Sequence, residues 1–229
     1  MELSLEIPIP EIELFLPLTD FPFGLAQLVL RKTQEGYRYC ELMQGCLLDN
    51  GMYELGESLS VGDLIKAATL CNPVAVIAPD WEDEMQLTID AARELLKASK
   101  GQPWTVGALV QGLDLEERNN CFYELKAMHL RPIGFPFRSP RGEVIDQLLR
   151  EGMFDETGWY HLFGLRDNSE LSMELPGKWS VDTGKPFKGF LMDRGPIRGR
   201  GRLNLHKELS RATRTAALWN IAWMRKEMR

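Results

Sequence analysis

Three aspartates and a glutamine stand at the ends of short apolar runs: Asp49 in CLLDNG, Asp80 in VAVIAPD, Gln111 in ALVQG and Asp182 in WSVDTG. Glycines recur at similar places, with Gly112 after Gln111, Gly134 in RPIGFP and Gly164 in HLFGL. A carboxylate can act as nucleophile or ion-pair partner at a sugar carbon whose transition state is oxocarbenium-like. Gln and Asp together offer the donors and acceptors that read the edge of a purine. Glycine lets a flat ligand lie close against the backbone. If these run ends converge, one chemistry they suit is glycosyl transfer at a nucleobase. Taken singly, each aspartate can instead cap a helix that follows its strand, and the residue types alone leave both roles open.

Convergence depends on the elements that carry these residues. Apolar runs rich in strand formers span Ile12 to Leu18, Gly45 to Gly51, Pro73 to Asp80, Trp104 to Gly112, Leu130 to Pro136, Trp159 to Leu165 and Trp179 to Gly184. A weaker eighth, KGFLMD, spans Lys188 to Asp193. The runs are continuous rather than alternating, the pattern of strands buried on both faces of a parallel sheet. Helix-period segments separate most of them, among them SVGDLIKAATL behind a Ser60 cap, EDEMQLTIDAARELLKAS, LEERNNCFYELKAMH and GEVIDQLLREG. Strand–helix alternation of this length predicts an α/β protein, a small (β/α)8 TIM-like barrel whose active site lies at the carboxyl ends of the strands. An open doubly wound sheet is the runner-up, but no G-x-G-x-x-G follows the first run. On this reading Asp182 ends the seventh strand.

Composition narrows the class further. The 229 residues are 44% hydrophobic and 26% charged, ordinary values for a globular domain, and no apolar run has the length of a membrane span. The acidic start MELSLEIPIPEIELFL lacks the basic opening of a signal peptide, so cytoplasmic residence is the expectation. Cys40, Cys46, Cys71 and Cys121 form no C-x-x-C pair and read as buried free thiols rather than disulfides or a zinc site. The triplet Asp182-Thr183-Gly184 also matches the aspartic-protease signature, but such a protease is all-β, which the helical segments contradict. Net charge is −6, yet from Arg194 onward ten Lys/Arg face two Asp/Glu. A basic tail on an acidic body suits a polyanionic partner.

Five segments in order resemble the tRNA-guanine transglycosylases. LLDNGMYE is similar to their D-S-G-G-[FY]-Q, ALVQG to I-V-Q-G-G, RPIGFP to [AV]-[IV]-G-G and HLFGL to [LM]-M-G-[VI]; SVDTGKP stands where their nucleophile lies. The likeness runs from about Leu14 to Gly184. It departs in lacking the C-x-C-x-x-C…H zinc insert, in placing Asn50 where the family has Ser, and in placing Leu113 where it has a second Gly. APDWEDEMQLTIDAARELL resembles the P-D-x-x-x-D-x-x-x-T pattern of the compact phage and bacterial branch that inserts 7-deazaguanines into DNA.

The resemblance implies a DNA-guanine transglycosylase. Asp182 would attack C1′ of deoxyguanosine, and Asp49 would act as general acid and base. Asp80 would read the N1 and exocyclic-amine edge, with Gln111, Gly112 and Gly134 on the carbonyl side and Gly164 also lining the site. The incoming base would be a 7-deazaguanine such as 7-cyano-7-deazaguanine, with no metal and no redox cofactor. The target base would have to be flipped out or single-stranded. The same aspartates would serve a base-excising N-glycosylase, and a non-catalytic nucleic-acid-binding protein on this barrel is the alternative outside enzymes. Residues 1–193 would form the barrel and 194–229 a basic helical extension packed on it. Arg194, Arg198, Arg200 and Arg202, interleaved with glycines, would contact phosphates. Trp219 and Trp223, four apart on one helix face, would pack on the barrel rather than stack on bases.

Overall fold

The computed structural model describes residues 1–137, 140–188 and 203–228. Eight strands form one sheet in the order β1-β8-β7-β6-β5-β4-β3-β2. They are β1 (Glu2–Leu5), β2 (Phe23–Leu25), β3 (Leu47–Asp49), β4 (Ala75–Ile77), β5 (Thr105–Leu109), β6 (Ile133–Pro136), β7 (Trp159–Phe163) and β8 (Lys178–Thr183). Every pairing is parallel. Helices alternate with them: α1 (Ile12–Phe15), α2 (Ala26–Val29), α3 (Gln34–Leu42), α4 (Met52–Leu55), α5 (Val61–Cys71), α6 (Met85–Ala98), α7 (Leu115–Ala127), α8 (Arg141–Arg150) and α9 (Arg211–Glu227). This is the expected small (β/α)8 barrel, nearly closed.

The barrel does not begin where the apolar runs predict. Ile12 to Leu18 is not a strand: it is α1 followed by a 3-10 turn over Leu16–Leu18. Ile12 and Phe15 are buried while Leu14 is exposed, the three-residue spacing of a helix face. The first two strands are β1, whose ELSL alternates polar and apolar residues, and β2, which runs directly into α2; neither forms a bounded apolar run. Asp182 therefore belongs to the eighth strand rather than the seventh. The weak run from Lys188 begins inside a 3-10 turn, Lys185–Lys188, and its remainder lies outside the described residues.

Side-chain bonds join β1 to the segment leading into β2. Leu3 N donates to Asp20 Oδ2 at 2.7 Å, Asp20 N donates to Leu3 O at 2.8 Å, and Ser4 Oγ donates to Phe21 O at 2.9 Å. Elsewhere β6, β7 and β8 alternate strictly between two faces. Phe135, Tyr160 and Trp179 point outward into one aromatic cluster, with Tyr160 and Trp179 rings 5.0 Å apart and Phe135 and Trp179 rings 5.8 Å apart. The intervening His161, Ser180 and Asp182 must then face the barrel interior, because side chains alternate with period two.

The C-terminal helix is docked, not detached. Ala217, Ile221 and Met224 of α9 are buried in the core. Glu11, itself buried, accepts from Arg214 Nε at 2.8 Å and from Leu209 N at 2.8 Å. Arg225 donates to Leu18 O at 2.9 Å. The two tryptophans do not behave alike: Trp223 packs against the core, whereas Trp219 is 57% exposed. Cys46, Cys71 and Cys121 are buried free thiols, and Cys40 is half-buried. No described helix is long and apolar enough to cross a membrane.

Candidate active site

The carboxyl ends of the strands bring the sequence-predicted carboxylates to one mouth. Asp182 is held from β7. His161 Nε2 lies 3.0 Å from its Oδ1, and Gly164 N donates to the same oxygen at 2.9 Å. Gly164 carries φ of 70°, the left-handed backbone that turns this amide back toward Asp182. His161 Nδ1 is 2.8 Å from Ser180 Oγ, and Trp159 Nε1 donates to the same oxygen at 2.8 Å. Parallel register explains this chain of contacts, since His161 sits opposite Ser180 in the β7–β8 ladder. His161 was missed at the sequence level because it lies inside its apolar run rather than at the end.

Asp80, after β4, is bonded at both carboxylate oxygens. Its Oδ1 accepts from Asn50 Nδ2 at 2.7 Å and its Oδ2 from Gln111 Nε2 at 2.5 Å. Its amide donates to Ser58 Oγ at 3.1 Å. Asn50 also donates to Ala78 O at 2.7 Å and accepts from Met52 N at 2.9 Å. Burial pushes the Asp80 carboxyl up, and the Asn50 and Gln111 amides pull it back. Each Asp80 oxygen retains a second lone pair, so the group can still accept two N–H bonds from a ligand.

Asp49 ends β3, and its Oδ2 accepts from Gly51 N at 3.0 Å. Burial drives its carboxyl well above the usual carboxylate range, and the charges of Glu54, Asp80 and Asp182 add to this. A shift in this direction favours the protonated form, the one that can donate a proton. Glu6, immediately after β1, joins the same cluster. Burial, then Glu54 and Asp182, push it to about 8 against the partial relief of Lys188. By surface area Glu6 is only half-buried, but protein encloses its carboxyl, and the crowding of like charges supports the upward direction. Nothing in the sequence flagged Glu6, because β1 was not recognised.

The glycines do different work from one another. Gly134 lies within β6, and a Cβ there would sit 2.4 Å from Phe163 Cε2, so its role in the fold is to admit that ring. Gly112 packs on the first turn of α7, where a Cβ would meet Glu117 Cβ at 2.8 Å. The Tyr53 and Phe137 rings meet edge to face with centroids 6.0 Å apart, one from α4 and the other just past β6. Both are partly exposed, and neither was anticipated.

A buried ion pair braces this side of the mouth. Arg141 donates through Nε to Glu170 Oε1 at 2.7 Å and pairs through its second amine with Glu170 Oε2. It also donates to Phe135 O at 3.2 Å, Phe163 O at 3.0 Å and Gly164 O at 2.7 Å, tying together the ends of β6 and β7. The Gly164 peptide is thus fixed through its carbonyl as well as its amide.

Arg194, Arg198, Arg200 and Arg202 lie outside the described residues. A groove of about 600 Å³ lies at the opposite, amino-terminal end of β5, beside Trp104 and Met128, and contains none of the mouth carboxylates. Among the described residues, no group of three or more His, Cys, Asp or Glu is arranged to hold a metal ion. No family model matches the chain, and no curated protein is significantly similar to it.

Proposed function

We propose that the chain is a DNA-guanine transglycosylase that exchanges a guanine for a 7-deazaguanine base. The observation that carries this reading is the division of labour among three aspartates at one mouth. Asp182 is held at one oxygen by the Gly164 amide and His161, burial and neighbouring acids raise the Asp49 carboxyl, and Asp80 is oriented by two amides with lone pairs to spare. That set suits attack at a sugar carbon, protonation of a leaving base and recognition of a purine edge.

The reaction follows from those roles. An Asp182 oxygen forms a bond to C1′ as the C1′–N9 bond breaks. The bonding pair leaves on guanine, which takes a proton from Asp49. An incoming 7-deazaguanine gives a proton to Asp49 and attacks C1′, and the carboxylate of Asp182 departs with its electron pair. Asp80 accepts from the N1 and exocyclic-amine N–H groups of either base, while Gln111 donates its remaining amide N–H to the carbonyl. The chemistry needs no redox partner.

The test is incubation of the protein with single-stranded and duplex DNA, or with tRNA, and labelled guanine. Label entering DNA supports the reading, and label entering tRNA alone moves the substrate class. Free guanine released without label uptake identifies a base-excising hydrolase. Binding with neither outcome leaves a nucleic-acid-binding protein.

A further inference from the structure

We infer that His161 is a positioning residue for Asp182, holding Oδ1 through its Nε2–H so that Oδ2 is the oxygen that attacks. The inference rests on the transglycosylase reading and specifies how its nucleophile is prepared. It begins with the proton on Ser180. Trp159 Nε1 can only donate, so Ser180 Oγ accepts that bond at 2.8 Å. The single hydroxyl proton has two acceptors in reach, His161 Nδ1 at 2.8 Å and Tyr160 O at 3.4 Å. The shorter contact takes it. Nδ1 is then an acceptor, and the ring proton lies on Nε2, 3.0 Å from Asp182 Oδ1.

The ring has no freedom to choose otherwise. His161 is fully buried, stacked on Phe23 with centroids 6.3 Å apart and set edge to face on Phe163 at 4.4 Å. Phe21 closes a further side at 6.3 Å. Both donors to the Asp182 carboxylate, His161 Nε2 and Gly164 N, converge on Oδ1. Among the described residues, no hydrogen bond reaches Oδ2. The two oxygens of one carboxylate are therefore unequal before any substrate arrives.

This asymmetry has a chemical consequence. When Oδ2 bonds C1′, Oδ1 becomes the carbonyl oxygen of an ester and loses most of its negative charge. Hydrogen bonds to a charged oxygen are stronger than those to a neutral one, so both donors favour the free carboxylate over the ester. They assist departure of Asp182 in the second step. Removing the His161 donor should slow turnover and still raise the amount of covalent glycosyl-enzyme. A residue that only fills space would change neither the partition nor the tautomer.

The first experiment is nitrogen NMR of protein labelled with ¹⁵N-histidine. Its three histidines are told apart by the loss of one signal set in H161F. A pyrrole-like Nε2 and a pyridine-like Nδ1 at His161 support the inference, and the reverse assignment overturns it. The second experiment is single turnover with acid quench and intact-mass detection of the glycosyl-enzyme. H161F keeps an aromatic ring in the aromatic box. Its ratio of covalent to free enzyme should rise about 10- to 100-fold, the worth of one hydrogen bond to a charged group. H161Q, whose amide N–H can reach Oδ1, should return the ratio toward wild type. An H161F ratio equal to wild type, with only a lowered melting temperature, makes His161 a packing residue. Wild-type protein that exchanges no base into DNA or tRNA overturns the transglycosylase reading and the partition claim with it. The nitrogen spectrum still upholds or overturns the tautomer by itself.

Discussion

Asn50 Nδ2 lies 2.7 Å from Asp80 Oδ1 and 2.7 Å from Ala78 O, so a side chain just past β3 fixes the carboxylate that follows β4. The resembling family has serine here. One hydroxyl proton cannot serve both acceptors, whereas the amide serves both and also accepts from Met52 N. Asn50→Ala should leave Asp80 Oδ1 and Ala78 O short of a donor, costing about 1–3 kcal/mol of stability as unsatisfied buried groups do. It should also weaken binding of free guanine about tenfold or more, because Asp80 loses one of the two amides that orient it. Thermal melts and guanine titration check both. A folded variant with unchanged guanine affinity would show that Asp80 does not read the base.

Asp182→Asn should abolish base exchange while leaving the fold nearly intact. An amide is close to isosteric with the carboxylate but is a poor nucleophile, and its oxygen can still accept from His161 Nε2 and Gly164 N. Circular dichroism and DNA affinity should match wild type. Retention of more than a few per cent of turnover would remove Asp182 from the nucleophile role.

Glu6 makes stability depend on pH. Its carboxyl is raised from an ordinary 4.5 to about 8 by burial and by the neighbouring acids. The folded protein therefore binds more protons than the unfolded chain between those values. The resulting stabilisation is fully present below about pH 4.5 and is lost as pH rises through about 8. Asp49 and Asp80, also raised, act in the same direction. Glu6→Gln should flatten the decline and leave the variant relatively more stable at alkaline pH. Denaturant melts across pH 5 to 9 measure it; identical slopes for wild type and variant would mean that Glu6 is solvated and ordinary.

What the sequence made legible was set by the apolar run around each strand rather than by strand length. The runs that became β3 to β8 were found because buried parallel strands read as continuous apolar stretches. β1 and β2 escaped because β1 alternates polar and apolar residues and β2 runs directly into α2, and the richer run at Ile12 drew the assignment to a helix. The site followed the same division. Asp49, Asp80, Gln111 and Asp182 stand at or just past run ends, where topology points them to one mouth. His161 and Ser180 lie inside runs and meet only through the β7–β8 register, which no spacing reveals. Arg141 and Glu170 are 29 residues apart, and nothing local couples them before folding.

The tail separates recognition from chemistry. Arg198, Arg200 and Arg202, with glycines between them, lie between the Lys185–Lys188 turn and α9, whose helix is pinned to the barrel through Glu11 and Arg214. Neutralising the three arginines should weaken binding to all DNA sequences alike. It should also flatten the dependence of affinity on salt by up to about three phosphate contacts, each releasing roughly one counterion. Guanine binding should stay unchanged, because Asp80 and Gln111 belong to a separate pocket. Affinity measured against salt concentration for wild type and the triple variant decides the matter. Coincident lines would mean that these charges are only solvated, and that the surface guiding DNA to the mouth lies elsewhere on the barrel.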